Sequence, residues 1–170
     1  MTTRQKRTAV SSDNLVYDLD KSLPGIDIPT EDFWVFGYGS LIWNPGFDYI
    51  RATPTRIYNF QREFCLQSTR YRGTEAYFGL VLALAKSVHT GEPDTDLNTH
   101  CDGVAFLVSK DKAADTCAYL YEREMQHYSY LPTWISADFS LGDPNLKTDD
   151  KGQVLAFVID PTKPTYHGNL

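Results

Sequence analysis

Hydrophobic residues in this chain come in short runs separated by polar, turn-forming stretches, and the runs are of two kinds. Residues 33–36, 78–85, 103–108 and 154–159 are apolar throughout, which predicts strands covered on both faces. The 78–85 strand has no polar face at all and is expected near the centre of a sheet. Tyr58, Phe60, Phe64 and Leu66 instead share one parity with polar residues between them, the period of a half-buried strand. Arg62 interrupts that face and is a candidate buried or site-facing charge. Residues 133–139 also alternate, with Ile135, Ala137 and Phe139 set against Trp134, Ser136 and Asp138.

One stretch has a helical period. Residues 110–126 contain no Gly or Pro and place Ala113, Ala114, Cys117, Leu120, Tyr121 and Met125 at helical spacing. Ser109 is the expected N-cap, and Asp111 lies near the positive end of the dipole. Residues 1–30 are polar and punctuated by Pro24-Gly25 and Pro29, which predicts a flexible or loosely docked arm, and residues 90–98 read as a loop. Six strands with one substantial helix late in the order do not repeat a βαβ unit. The expected fold class is α+β, built on a mixed sheet or a partly closed β-barrel.

Composition narrows this further. A chain of 170 residues, 42% hydrophobic and 14% aromatic, has the material for one core and little room for a second. No apolar run approaches the roughly 20 residues that a bilayer-crossing helix needs, so no membrane role is expected. Residues 51–72 carry five Arg among Tyr58, Phe60, Phe64 and Tyr71, a pattern that suits single-stranded nucleic acid. The net charge of −6 opposes a phosphate backbone, and no nucleic-acid partner is expected. Cys65, Cys101 and Cys117 are widely spaced and read as reduced, apolar-like thiols. His89, His100, His127 and His167 lack metal-ligand spacing and read as solvated or capping residues. Arg4, Lys6 and Arg7 are followed by acids and not by an apolar segment, so a cytoplasmic location is expected.

Two features carry candidate chemistry. In Val35-Phe36-Gly37-Tyr38-Gly39-Ser40-Leu41 a strand runs into two glycines and a hydroxyl. Such a turn can present main-chain N–H groups to an anionic group such as a carboxylate; a tight structural loop has the same signature. It is no phosphate loop, since no Gly-Lys-Ser/Thr follows. The second feature is Glu124. At about 100° per residue it falls within about 20° of Ala113 and Cys117 on the apolar stripe of the helix, while Glu122 points away. A carboxylate there needs either an ion-pair partner, such as Arg62 or Arg72, or a purpose, because burial raises its pKa toward values useful for proton transfer.

The stretch from Trp34 to Phe47, WVFGYGSLIWNPGF, resembles the opening signature of the ChaC-like, glutathione-specific γ-glutamylcyclotransferases. The resemblance continues in order through Arg62-Glu63-Phe64-Cys65, Arg72-Gly73-Thr74, Gly79-Leu80-Val81-Leu82, Gly103-Val104-Ala105-Phe106, Arg123-Glu124-Met125 and Tyr130-Leu131-Pro132-Thr133-Trp134, as far as Tyr166. It implies a mixed barrel with flanking helices over residues 31–170. It also implies cleavage of a small-molecule substrate, glutathione, to 5-oxoproline and cysteinylglycine. The segment Val35 to Leu41 would hold the γ-glutamyl group, Glu124 would be the acid/base residue, and Tyr130 would line the substrate. Arg72 is a candidate for the glycyl carboxylate, since a guanidinium pairs with carboxylates as a fork. Tyr38 is either a ring under the substrate or a buried barrel tyrosine. No metal or cofactor is expected. Family members continue past the position of Tyr166 into a helical tail, which residues 31–170 are expected to lack. A non-catalytic γ-glutamyl-binding module and a cyclotransferase for other γ-glutamyl amines are the alternative functions.

Overall fold

The computed structural model describes residues 6–87, 99–126, 129–143 and 152–168. In chain order its elements are β1 (Thr8–Val10), β2 (Val16–Asp18), β3 (Phe33–Gly37), α1 (Ser40–Trp43), β4 (Arg51–Tyr58), β5 (Phe60–Gly73), β6 (Phe78–Lys86), β7 (His100–Val108), α2 (Ala113–Glu124), β8 (Tyr130–Asp138) and β9 (Gln153–Ile159). The loop expected over 90–98, His89 and His127 lie outside the described residues.

Strands β3, β7, β4, β8 and β9 pair in that order, and β9 returns to pair with β3, so five strands close a barrel. Its neighbours are antiparallel except at the seam, where Trp34 and Val35 of β3 run parallel to Val154 and Leu155 of β9. Further along the same edge of β9, Val158 pairs with Leu84 of β6, which carries the β5–β6 hairpin. The edge of β9 is thus shared, its first half with β3 and its second half with β6.

This seam explains the unbroken apolar runs. Phe36, Val154, Ala156 and Val158 point into the barrel beside Ile57, Ala105 and Ile135. Val35, Leu155 and Phe157 point outward, under Cys117, Leu120 and Tyr119 of α2. Alternate residues fill two different cores, so neither parity is polar. Helix α2 forms as expected from its period, preceded by a 3-10 turn at Lys110–Lys112 in which the Asp111 amide donates to the Ser109 hydroxyl.

Several expectations are corrected. β6 is buried only over Ala83–Ala85, while Phe78 is exposed, because the distal half of the hairpin projects beyond the barrel. The face from Tyr58 to Leu66 is not continuous: Tyr58 and Phe64 are exposed, while Cys65 and Leu66 are both buried. Asn59 takes a left-handed φ of 67° between β4 and β5, and a register shift between Phe64 and Leu66 moves the next side chain to the other face. β4 was not expected. Its inward residues Thr55 and Ile57 are fully buried, but Thr and Pro54 mask the period. Pro54 is tolerated because it lies outside the β4–β8 ladder, which is confined to Arg56 and Ile57. Within the arm expected over 1–30, β1 and β2 form a hairpin, and Tyr17 and Leu23 are buried against α2.

Candidate active site

The site lies where β3 leaves the barrel wall, β8 enters it and α2 ends. Val35, Phe36 and Leu41 place their side chains in the cores, so among the residues of this turn they contribute main chain alone to any ligand. Gly37 is favoured by close approach: a Cβ there would sit 3.1 Å from the Cβ of Leu41 and 3.2 Å from the Ile42 nitrogen. Neither Gly37 nor Gly39 has a positive φ. At Gly37 the turn therefore uses glycine to bring α1 close to the end of β3 and not to adopt a left-handed backbone, while a Cβ on Gly39 would meet open space.

Tyr38 is held from both ends. Its hydroxyl donates to the Phe157 carbonyl at 2.8 Å, a group that falls between the β3 and β6 pairings of β9. Its own carbonyl accepts from Arg62 Nε at 2.7 Å, and Arg62 Nη2 also donates to the Asp102 carbonyl. Arg62 is thus an exposed main-chain stitch between the turn, β5 and β7, not a buried charge. Tyr130, the first residue of β8, brings its phenol close to that of Tyr38, so that each influences the ionisation of the other.

Glu124 is the last residue of α2, and its side chain is only 16% exposed. Burial raises its pKa, and the Arg123 guanidinium, with Nε at 3.3 Å, opposes that rise. The carboxylate's charge reaches both tyrosines; burial, and then that charge, hold the Tyr130 phenol well above its ordinary pKa, and burial does the same at Tyr38. Both phenols therefore stay protonated beside the Glu124 carboxyl, the Tyr38 proton being held by the Phe157 carbonyl. Cys65 lies behind Tyr130 with its thiol pushed by burial to about 11, so it is neutral here.

Glu124, Tyr38 and Tyr130 are brought together from three elements; Arg72 is not. It is exposed on the outer part of the β5–β6 hairpin, where β5 bulges between Ser68 and Gly73 and the Arg72 main chain lies against Gly79 of β6. His100 is exposed against the ring of Tyr58, and His167 stacks on Phe78 and bonds Gln67 at 2.8 Å. The three cysteines are buried and free. Among the described residues no group of three or more His, Cys, Asp or Glu is placed to hold a metal ion. No described helix is long and apolar enough to cross a membrane.

In the sequence Arg123 stands out only as part of the Arg123-Glu124-Met125 motif. Its Nη1 donates to the Asn44 carbonyl at 2.5 Å, the Pro45 carbonyl at 3.2 Å and the Tyr119 hydroxyl at 2.7 Å, and its Nη2 donates to Ser40 Oγ at 3.1 Å. The one trace of this in the sequence is the i, i+4 spacing of Tyr119 and Arg123.

Fold and site together define an α+β protein in which a closed mixed barrel presents one sequestered carboxyl group to two phenols at its rim. The family model described as ChaC-like protein matches residues 33–170, and the chain belongs to that family. It is 32% identical over 138 residues to the glutathione-specific gamma-glutamylcyclotransferase of Escherichia coli, covering 80% of this chain and 51% of that protein. Against glutathione-specific gamma-glutamylcyclotransferase 1 of Danio rerio it is 31% identical over 135 residues, covering 79% and 62%. The chain thus spans about half the length of the curated relatives it matches, or somewhat more. The barrel superimposes on the crystal structure of the glutathione-specific cyclotransferase from yeast with a TM-score of 0.65 at 21% identity, covering 82% of this chain and 74% of that one.

Proposed function

We propose that this chain is a γ-glutamylcyclotransferase that converts glutathione to 5-oxoproline and cysteinylglycine. The observation that carries the reading is Glu124, a carboxyl group largely withdrawn from water at the end of α2, with the phenols of Tyr38 and Tyr130 near enough to feel its charge. The names of the relatives support the choice of glutathione.

The reaction forms a C–N bond within the γ-glutamyl group and breaks the amide to cysteine. The α-amine, once it loses a proton to the Glu124 carboxylate, attacks its own γ-carbonyl carbon. Charge develops on the carbonyl oxygen, where the Tyr130 O–H or the main-chain amides of the turn after β3 supply donors. As the tetrahedral centre collapses, the C–N bond to cysteine breaks, and protonated Glu124 returns its proton to the departing nitrogen. Base and acid are one group, so its pKa belongs near the working pH, and burial moves it in that direction. Nucleophile and electrophile share one molecule, so most of the enzyme's work is to hold the glutamyl chain bent. Tyr38, fixed to the Phe157 carbonyl, is a wall of that mould, and Tyr130 lines it.

The test is Glu124→Gln, which preserves shape and removes the base. Release of 5-oxoproline from glutathione is expected to fall by at least about 10²-fold; release near the wild-type rate would overturn the role. Parallel incubation with simple γ-glutamyl amino acids decides substrate range. Product from those compounds and none from glutathione would replace glutathione in the reading.

A further inference from the structure

The N-terminal hairpin reaches the neighbour of the proposed base. Asp13 lies in the turn between β1 and β2 and accepts a hydrogen bond from the Tyr119 hydroxyl at 2.9 Å, one from Ser11 Oγ, and a longer one from Asn44 Nδ2 at 3.4 Å. Its Oδ2 is 3.9 Å from Arg123 Nη1. Both partners of that ion pair are largely buried, with side-chain exposures of 14% for Arg123 and 20% for Asp13. The contact is tight: a Cβ on Gly46 would fall within 1.9 Å of the Tyr119 hydroxyl and 3.0 Å of Asp13 Oδ2.

One cation is therefore shared by two anions. Arg123 offers Nε to Glu124 and turns its Nη groups toward Asp13, Tyr119 and the α1 segment at Ser40, Asn44 and Pro45. A guanidinium is planar and rigid, so what holds its outer edge also fixes the angle at which its inner edge meets Glu124. With Asp13 neutral, the remaining carboxylate would draw the cation inward, away from the α1 segment.

We propose that Asp13 is a positioning residue for the reaction: it keeps Arg123 spread over the segment that follows β3, so that the cation steadies that segment without neutralising Glu124. The inference rests on the cyclotransferase reading above. The groups that face Glu124 are Arg123 on α2, Tyr38 after β3 and Tyr130 on β8, with Cys65 of β5 behind Tyr130 and Asp13 and Tyr119 behind Arg123. Burial works against ionisation of Asp13, yet the hydrogen bonds from Ser11 and Tyr119 and the charge of Arg123 hold its pKa below the usual carboxylate value. It is therefore an anion wherever Glu124 titrates.

Asp13→Asn in the full chain keeps the shape and removes the charge. On glutathione, kcat/KM is expected to fall about tenfold, mainly through KM, and the acid limb of its pH profile is expected to move to lower pH. Asp18→Asn, which removes a charge of the same hairpin that pairs with Lys6 and keeps an acceptor for the Asp20 amide, serves as the control and is expected to match the wild type in both. A second readout needs no turnover: the Arg123 side-chain NH resonances in NMR, expected to be distinct and slow to exchange in the wild type and broadened in Asp13→Asn. Unchanged resonances, or an active Asp13→Asn enzyme with the wild-type pH profile, would overturn the proposal. A loss of activity that Asp18→Asn shares, or that only tracks a lost folded fraction, would also overturn it. Absence of product from the wild type would instead sink the cyclotransferase reading, and the catalytic part of this proposal with it.

Discussion

Glu124 is set against two effects at once. It is taken out of water and it stands at the negative end of the α2 dipole; the Arg123 guanidinium acts in its favour. A carboxyl whose folded-state pKa is raised contributes stability that is present below its unfolded pKa and is lost as pH rises through the folded one. Ionised Glu124 is therefore a local cost that the fold carries at neutral pH. Thermal melts of Glu124→Gln and wild type are expected to separate at about pH 8, with the variant the more stable, and to converge at about pH 4. A wild type more stable than the variant at the higher pH would contradict the burial argument. The kcat/KM of the wild type should rise across the same window, since the base must be ionised to act.

Elements fix which residues meet at the rim. Gly103 in β7 shows how little room the arrangement leaves, because a Cβ there would lie 2.3 Å from the Gly37 carbonyl oxygen and 2.6 Å from the Phe36 ring. Gly103→Ala must push the end of β3, and the Tyr38 turn with it. A loss of about 1–3 kcal/mol in denaturant unfolding is expected, together with lowered turnover; wild-type values in both would mean that the turn moves freely. The elements legible in the sequence are β3, β5, β6, β7, β8, β9 and α2, whose side chains form apolar runs, alternate along a strand or follow a helical period. β4 was hidden because Thr53, Thr55 and Pro54 do not read as apolar, although Thr55 is fully buried. The β1–β2 hairpin was hidden because its anchors, Tyr17 and Leu23, are single residues in a polar stretch, and a lone anchor has no period.

At the scale of the whole molecule, the seam between β3 and β9 joins fold to site. Leu155 is fully buried there, paired with Val35 and Trp134 and packed under α2. Leu155→Ala is expected to cost about 2–5 kcal/mol of stability, read as a lowered denaturation midpoint; a cost below about 1 kcal/mol would show that the seam does not depend on that packing. The sequence alone determined the mixed α+β character, the helix carrying Glu124 on its apolar stripe, and the turn after β3, because burial period and turn chemistry are local properties of a chain. Tertiary structure alone decided that the five strands close, that Tyr38 and Tyr130 meet beside Glu124 while Arg72 is placed on the β5–β6 hairpin, and that Asp13 reaches Arg123. Those outcomes depend on register and on side chains from distant segments, and neither leaves a mark in the spacing of neighbouring residues.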